Sequence, residues 1–182
     1  KVYGLPTISA VTKTDFNEGE EITLSSLGIT AKDSFNNVLE TVTLVLTDGE
    51  NAAGNTLTYL VTATDHLGNE STKTIKVKIY ATPTISYDVN KTAIKATDKI
   101  SASLFSATAK DSFGNSLSVT ATIKSGEIKG GSTITVQFSA KDKIGNTHTV
   151  VTDEIRVYAQ SDIALTYNAI LSNNIKKSSH GE

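Results

Sequence analysis

The sequence predicts an all-β protein: two tandem β-sandwich domains arranged end to end. Three observations predict it. Val, Ile and Thr dominate, Ser and Thr together make about a quarter of the 182 residues, and Trp, Cys and Met are absent; β-branched and hydroxylated side chains suit strands with one wet face. Apolar residues alternate with polar ones, and no segment carries a helical stripe. Finally, one unit of 77–78 residues is written twice.

The duplication is legible residue by residue. Tyr3-Gly-Leu-Pro-Thr-Ile-Ser9 returns as Tyr80-Ala-Thr-Pro-Thr-Ile-Ser86, offset by 77. Ile22, Leu24, Leu27, Ile29 and Ala31 match Ile100, Ala102, Phe105, Ala107 and Ala109, offset by 78. Leu57, Tyr59, Val61 and Ala63 match Ile134, Val136, Phe138 and Ala140. Residues 1–80 and 81–158 therefore form the expected domains. Residues 159–182 are the start of a truncated third repeat or a C-terminal tail, with Ile163 falling where Ile85 stood.

Within the first unit, period-two runs predict strands near 6–12, 20–32, 38–47, 55–65 and 70–80. The second gives 83–89, 98–110, 116–124, 132–142 and 147–158. Leu57, Tyr59, Val61 and Ala63 should face a core, with the intervening residues outside. Short antiparallel strands in under 80 residues predict two sheets packed face to face. The second unit has one residue more than the first between Asn146 and Tyr158. An extra residue inverts every later side chain unless it bulges out. A bulge is therefore expected near Thr152–Glu154, returning Ile155 and Val157 to the inner face.

Four stretches share the pattern Ala-x-Asp-x-x-x-Asn: Ala31–Asn37, Ala63–Asn69, Ala109–Asn115 and Ala140–Asn146. The sixth position is Asn36, Gly68, Gly114 and Gly145, the two residue types that most readily enter positive φ. The Asp can accept a backbone hydrogen bond from two residues on and start a turn. The fifth position is apolar, Phe35, Leu67, Phe113 and Ile144, and is expected to fold back as a plug for the end of the sandwich.

On these residues the chain resembles a known module. Residues 59–80 (YLVTATDHLGNESTKTIKVKIY) and 136–158 (VQFSAKDKIGNTHTVVTDEIRVY) are similar to the closing hairpin of bacterial immunoglobulin-like repeats. The resemblance covers about 155 residues. It implies tandem immunoglobulin-like sandwiches, as found on internalin-like and other wall-anchored adhesins and beside secreted glycosidases. Neither copy has the Cys and Trp core of antibody domains.

Catalytic chemistry finds little footing. His66 aligns with Lys143 and His148 with Ser71, so these positions tolerate other residues, and His180 lies in the tail. All three read as solvated surface histidines. Asp33, Asp65, Asp111 and Asp142 could be considered for Ca²⁺, but each turn supplies one carboxylate where calcium wants six to eight oxygens. Glu18-Gly-Glu20-Glu21 reads as a solvated loop. Gly130-Gly131 precedes a strand, so it is a hairpin turn and no phosphate cradle. Tyr87 and Tyr167 are the candidate sugar-stacking aromatics. No catalytic, cofactor-binding or metal-binding residue is assigned, and no cofactor is expected.

Net charge is −2, with residues 3–79 at −5 and residues 80–157 at +2; the difference reads as surface drift. Basic residues are scattered and not interleaved with aromatics, which speaks against nucleic acid. No apolar run approaches the ~18 residues that would insert in a membrane. The opening KVYGL looks like the end of a strand, and the chain reads as a fragment of a longer protein. Only Ala81 and Thr82 separate Tyr80 from Pro83, so the joint should be stiff and the units should form a rod of roughly 70–80 Å.

The expected function is a non-catalytic stalk or spacer of a bacterial cell-surface or secreted protein, extracellular and supporting adhesion. Its partners would be other domains of the same surface protein. The alternative is a module that binds a glycan or host protein, or an accessory domain of a secreted glycosidase.

Overall fold

The structure, a computed structural model, describes residues 2–159. Its described residues are all-β, apart from one 3-10 turn, in several open sheets. By compactness they fall into two units. One gathers 2–86, Thr108–Val119 and Ser139–Thr149; the other gathers Tyr87–Ala107, Thr120–Phe138 and 150–159.

The first unit contains β1 (Thr7–Ile8), β2 (Asp15–Asn17), β3 (Ala31–Lys32), β4 (Val42–Asp48), β5 (Thr56–Thr64) and β6 (Glu70–Tyr80). Four of these form a sheet in the order β2-β6-β5-β4, and β1 pairs with β3 in a second. The alternation over 57–63 works as expected: Leu57, Val61 and Ala63 are buried, and Tyr59 packs against the core. Across the ladder Leu57 faces Val77 and Tyr59 faces Ile75. Phe16, Leu27, Ile29, Leu57, Val61, Ile75, Val77 and Ile79 make one buried cluster, with Ile8 of β1 and Leu44 of β4 packed on it. Both sheets thus face a single core, whose apolar burial supplies the main folding force.

The second repeat contributes β7 (Thr84–Ser86), β8 (Ala93–Lys95), β9 (Thr108–Lys110), β10 (Ser116–Leu117), β11 (Val119–Gly126), β12 (Thr133–Lys141), β13 (Thr147–Val151) and β14 (Ile155–Tyr158). Strands β10-β9-β7 form one sheet; β11-β12-β14-β8, with β13 also on β12, form another. In the second unit Phe138 stacks edge-on to Phe105 at 5.5 Å.

The stretches 20–32 and 98–110 are not strands throughout. Only their ends enter sheets, as β3 and β9. Their middles turn. Leu27 donates its N–H to the Thr23 carbonyl, and Thr23 and Ser26 exchange backbone-to-hydroxyl bonds. In the second copy Ser103–Phe105 is a 3-10 turn. The apolar positions 22, 24, 27, 29 and 31 already lose step between 24 and 27. That break lets Leu27 and Phe105 drop into the interior, both almost wholly buried.

Two strands were not expected at all. β2 pairs with β6, and β8 with β14, in parallel, so the sheets are mixed. Each is three residues long with one buried side chain, Phe16 or Ile94, too short to show a period.

The expected bulge is present. β13 ends at Val151, β14 begins at Ile155, and Ile155 and Val157 are buried. The third-repeat expectation for 159–182, with Ile163, Tyr167 and His180, lies outside the described residues apart from Ala159.

Candidate functional site

The recurring turns are built alike. In each, Asp Oδ1 accepts the N–H of the residue two on (Phe35, Leu67, Phe113, Ile144) at 2.8–3.0 Å. It also accepts the N–H of the Asn four on at 2.8–2.9 Å. Oδ2 takes that Asn's side-chain amide at 2.8–2.9 Å. The sixth residue runs at positive φ: 67° at Asn36, 84° at Gly68, 78° at Gly114 and 106° at Gly145. The Asn-for-Gly exchange therefore preserves a backbone conformation. The Asn side-chain amide is the part that the sequence reading left unassigned.

These bonds decide the electrostatics. The Asn37 amide beside Asp33, and the Asn69 amide beside Asp65, hold both carboxyls below the usual carboxylate range against the opposing effect of burial. At Asp111 burial pushes up, and the bonds from Asn115 and Phe113 together outweigh it. The carboxylates are spent on their own turns. Among the described residues no three His, Cys, Asp or Glu side chains group as metal ligands would.

The fifth-position plugs do not form in the first repeat, while Phe113 and Ile144 of the second are half-buried. Phe35 is 41% exposed and Leu67 61%. The phenylalanines turn to the tyrosine at the start of their repeat: Tyr3 meets Phe35 at 4.8 Å between ring centroids, and Tyr80 meets Phe113 at 4.9 Å. An aromatic edge or face offered by a neighbouring ring competes well with an apolar interior already filled by Leu27 or Phe105.

Around Tyr80 lies a polar and aromatic cluster, all within the first unit. The Ala81 N–H donates to Ser112 Oγ at 2.8 Å, and that hydroxyl donates to the Ala81 carbonyl at 3.4 Å. Lys143 Nζ pairs with Asp15 at 2.8 Å and stands 5.2 Å from the Tyr80 ring centroid. The Asp15 carboxylate, with Tyr80, holds the Lys143 ammonium above its ordinary range. Lys78 Nζ lies 5.2 Å from the Phe113 ring centroid. A visible signal for this cluster was the fourth turn position, which carries Ser34 and Ser112 in the first turn of each repeat and His66 and Lys143 in the second.

The histidines separate. His66 is exposed, with its ring edge-on to Tyr3 at 4.4 Å. His148 is not a solvated surface group: it is half-buried and its Nδ1 lies 2.7 Å from the Pro83 carbonyl, so Nδ1 carries the proton. Ser71, its counterpart, donates to the Pro6 carbonyl at 2.7 Å. Two chemistries thus clasp the equivalent proline in each repeat. Tyr87 is not an open platform, since it packs on Phe138 at 5.1 Å.

The acidic loop is tied down as well. Glu20 pairs with Lys13 and accepts the Asn17 N–H, Glu18 accepts the Ala53 N–H, and Asn51 bonds the Glu20 carbonyl. Gly130-Gly131 lies in the loop between β11 and β12, where the Gly131 N–H reaches the Val157 carbonyl at 2.8 Å.

No protein-family model and no curated protein matches the chain. Among solved structures, a protocadherin GammaB4 extracellular domain aligns with 84% of this chain at 10% identity and a TM-score of 0.34. This chain spans 32% of that one.

Proposed function

We propose that the chain is a pair of immunoglobulin-like β-sandwich modules acting as a non-catalytic stalk or spacer of a bacterial cell-surface or secreted protein. Its partners in that role are the neighbouring domains of the same protein, with adhesion supported by reach. The observation that carries this reading is the grip on the joint. Ala81 is bonded in both directions by Ser112, Tyr80 is covered by Phe113 and Lys143, and Pro83 is clasped by His148. A short linker whose backbone is bonded on both sides suits a spacer.

The test is to insert Gly-Ser-Gly-Ser between Ala81 and Thr82 and measure ¹⁵N relaxation. The native chain should tumble as one anisotropic particle, and the insertion should uncouple its halves. Independent tumbling in the native chain would sink the spacer reading.

One observation favours the runner-up, a module binding a host protein or glycan. Val45 and Leu46 are consecutive exposed residues on β4, at 52% and 45%, whereas the matching positions on β11 are Thr122 and Ile123. An apolar pair on one copy alone is what a specific contact would use. Host-protein and glycan arrays read with wild type and a Val45→Asp/Leu46→Asp chain decide it: a hit lost in the variant would favour binding.

A further inference from the structure

Strand β4 is the edge of the first unit's larger sheet. β5 lies on one side of it, and among the described residues no strand lies on the other. Register fixes which backbone groups face that open side. The Thr64 N–H donates to the Thr41 carbonyl at 3.0 Å, and hydrogen-bonding direction alternates along an antiparallel pair. Thr41, Thr43 and Val45 therefore address β5, opposite Thr64, Thr62 and Leu60. Leu44 and Leu46 turn their N–H and C=O groups to the open side. Val42 does so too, but its N–H is taken by the Glu40 carbonyl at 3.1 Å.

The side chains on this edge carry a symmetry. Residues 43–47 read Thr-Leu-Val-Leu-Thr, the same in both directions about Val45. Two identical antiparallel strands related by a two-fold axis match each residue with the one equally far beyond the axis. An axis at Val45 sets Leu44 of one copy against Leu46 of the other, where both can exchange N–H and C=O bonds. It sets Val45 against Val45 in the closer kind of pair, with Cα atoms about 4.5 Å apart. Val45 already lies opposite Leu60 on the outer face. The axis would continue that apolar row from one Leu60, through both valines, to the other Leu60. The register shift between Leu46 and Asp48 comes just after these residues, so it limits the pairing to the middle of the strand.

Sheet edges are ordinarily kept apart by charges, proline or bulges. Up to Thr47, β4 carries neither a charge nor a proline. β11, the matching edge of the second repeat, has Ala121 for Leu44, Thr122 at the centre and Lys124 for Thr47. There both the symmetry and the neutrality are lost.

We propose that β4 pairs edge to edge with β4 of a second copy of this chain, antiparallel and centred on Val45, so that neighbouring molecules join side by side. A second copy is the occupant because only an identical strand uses the palindrome. This goes beyond the spacer reading and stands without it. It also gives the exposed Val45 and Leu46 an occupant other than a host protein or glycan. The contact belongs to the small, weak class below about 1,200 Å², so it forms where chains are crowded.

The test is sedimentation equilibrium and amide hydrogen exchange on the full chain, at low and at high concentration. A dimer should appear at high concentration. The Leu44 and Leu46 amides should then exchange roughly fivefold more slowly, while those of Thr43 and Val45, already bonded to β5, change little. Val45→Lys places like charges face to face at the axis and should abolish the dimer, as should Val45→Glu. An equimolar mixture of the two variants should restore it, because opposite charges then meet directly. Both substitutions fall on an exposed side chain, and the Asn37 and Asn69 turn amides report folding. Should either variant lose that protection, the alternation of exchange rates along residues 43–46 of the native chain still decides.

A native chain that stays monomeric at high concentration would overturn the proposal. So would protection of Leu44 and Leu46 that ignores concentration, which would assign the edge to another part of the same chain. A dimer that survives Val45→Lys lies on another surface, and a folded mixture that remains monomeric excludes the axis at Val45; either result overturns it as well.

Discussion

The closing strand of the first repeat and that of the second solve one problem in two ways. β6 runs unbroken for 11 residues and sends Ile75, Val77 and Ile79 inward. Its counterpart carries one residue more and breaks into β13 and β14, with Thr152 buried where β6 has Ile75. The Thr152 N–H donates to the Val136 carbonyl at 2.9 Å, and the Val136 N–H donates to the Thr152 hydroxyl at 3.0 Å. A side-chain oxygen thus does the work of a ladder carbonyl while Asp153 and Glu154 loop out. The lesson is that an insertion in a buried strand is tolerated when a threonine beside it can satisfy the orphaned donor.

The largest expected effect breaks that comparison from the first repeat's side. One Asp inserted after Lys76 should turn Val77 and Ile79 outward or leave an unsatisfied donor, costing about 3–6 kcal/mol. Adding Ile75→Thr to the insertion should recover part of the loss, and urea titration of both variants checks it. Insertion alone without cost would show that the hydroxyl is dispensable.

Next comes Thr152→Val, nearly the same shape without the acceptor. It should cost about 1–3 kcal/mol by leaving the Val136 N–H buried and unpaired. Thr152→Ser, which keeps the oxygen, should cost less, and calorimetry separates the two.

A smaller effect sharpens a second contrast between the repeats. Gly28 and Ser106 match, and both run at positive φ, 68° and 49°. Ser106→Gly should stabilise by a few tenths to about 1 kcal/mol. Gly28→Ser should destabilise by more than that, because its Cβ would lie 2.0 Å from Thr12 Oγ1. Paired thermal melts compare them.

Acid should act through the turns. Asp33 and Asp65 have folded pKa values below the ordinary value near 4. Their contribution is therefore present at neutral pH and is lost as pH falls through those lowered values. The melting temperature should drop on acidification below about pH 4, with a shallower slope in the Asp33→Asn/Asp65→Asn chain.

The smallest effect is Lys143→Ala. Its pair with Asp15 is partly exposed, so the loss should stay within about 1 kcal/mol and shrink in high salt.

Legibility followed sequence distance. The turns were readable because every bond in them spans two to four residues: Asp carboxylate to backbone, Asn amide to carboxylate, a sixth residue at positive φ. The bulge was readable because one surplus residue collides with a strict period of two. β2 and β8 were not, since a three-residue strand with one buried side chain has no period to show. Nor was the destination of Phe35 and Phe113, because an apolar residue at a corner has more than one apolar neighbour available to it.

By itself the sequence determined the duplication, the alternating faces and the chemistry of the corners, all of which depend on neighbours along the chain. Only the tertiary structure decided that the corner phenylalanines leave their own cores for Tyr3 and Tyr80, that Lys143 finds Asp15, and that His148 holds Pro83. Those choices set residues far apart in the chain against competing partners, and the winner is the one that packing brings within a few ångströms.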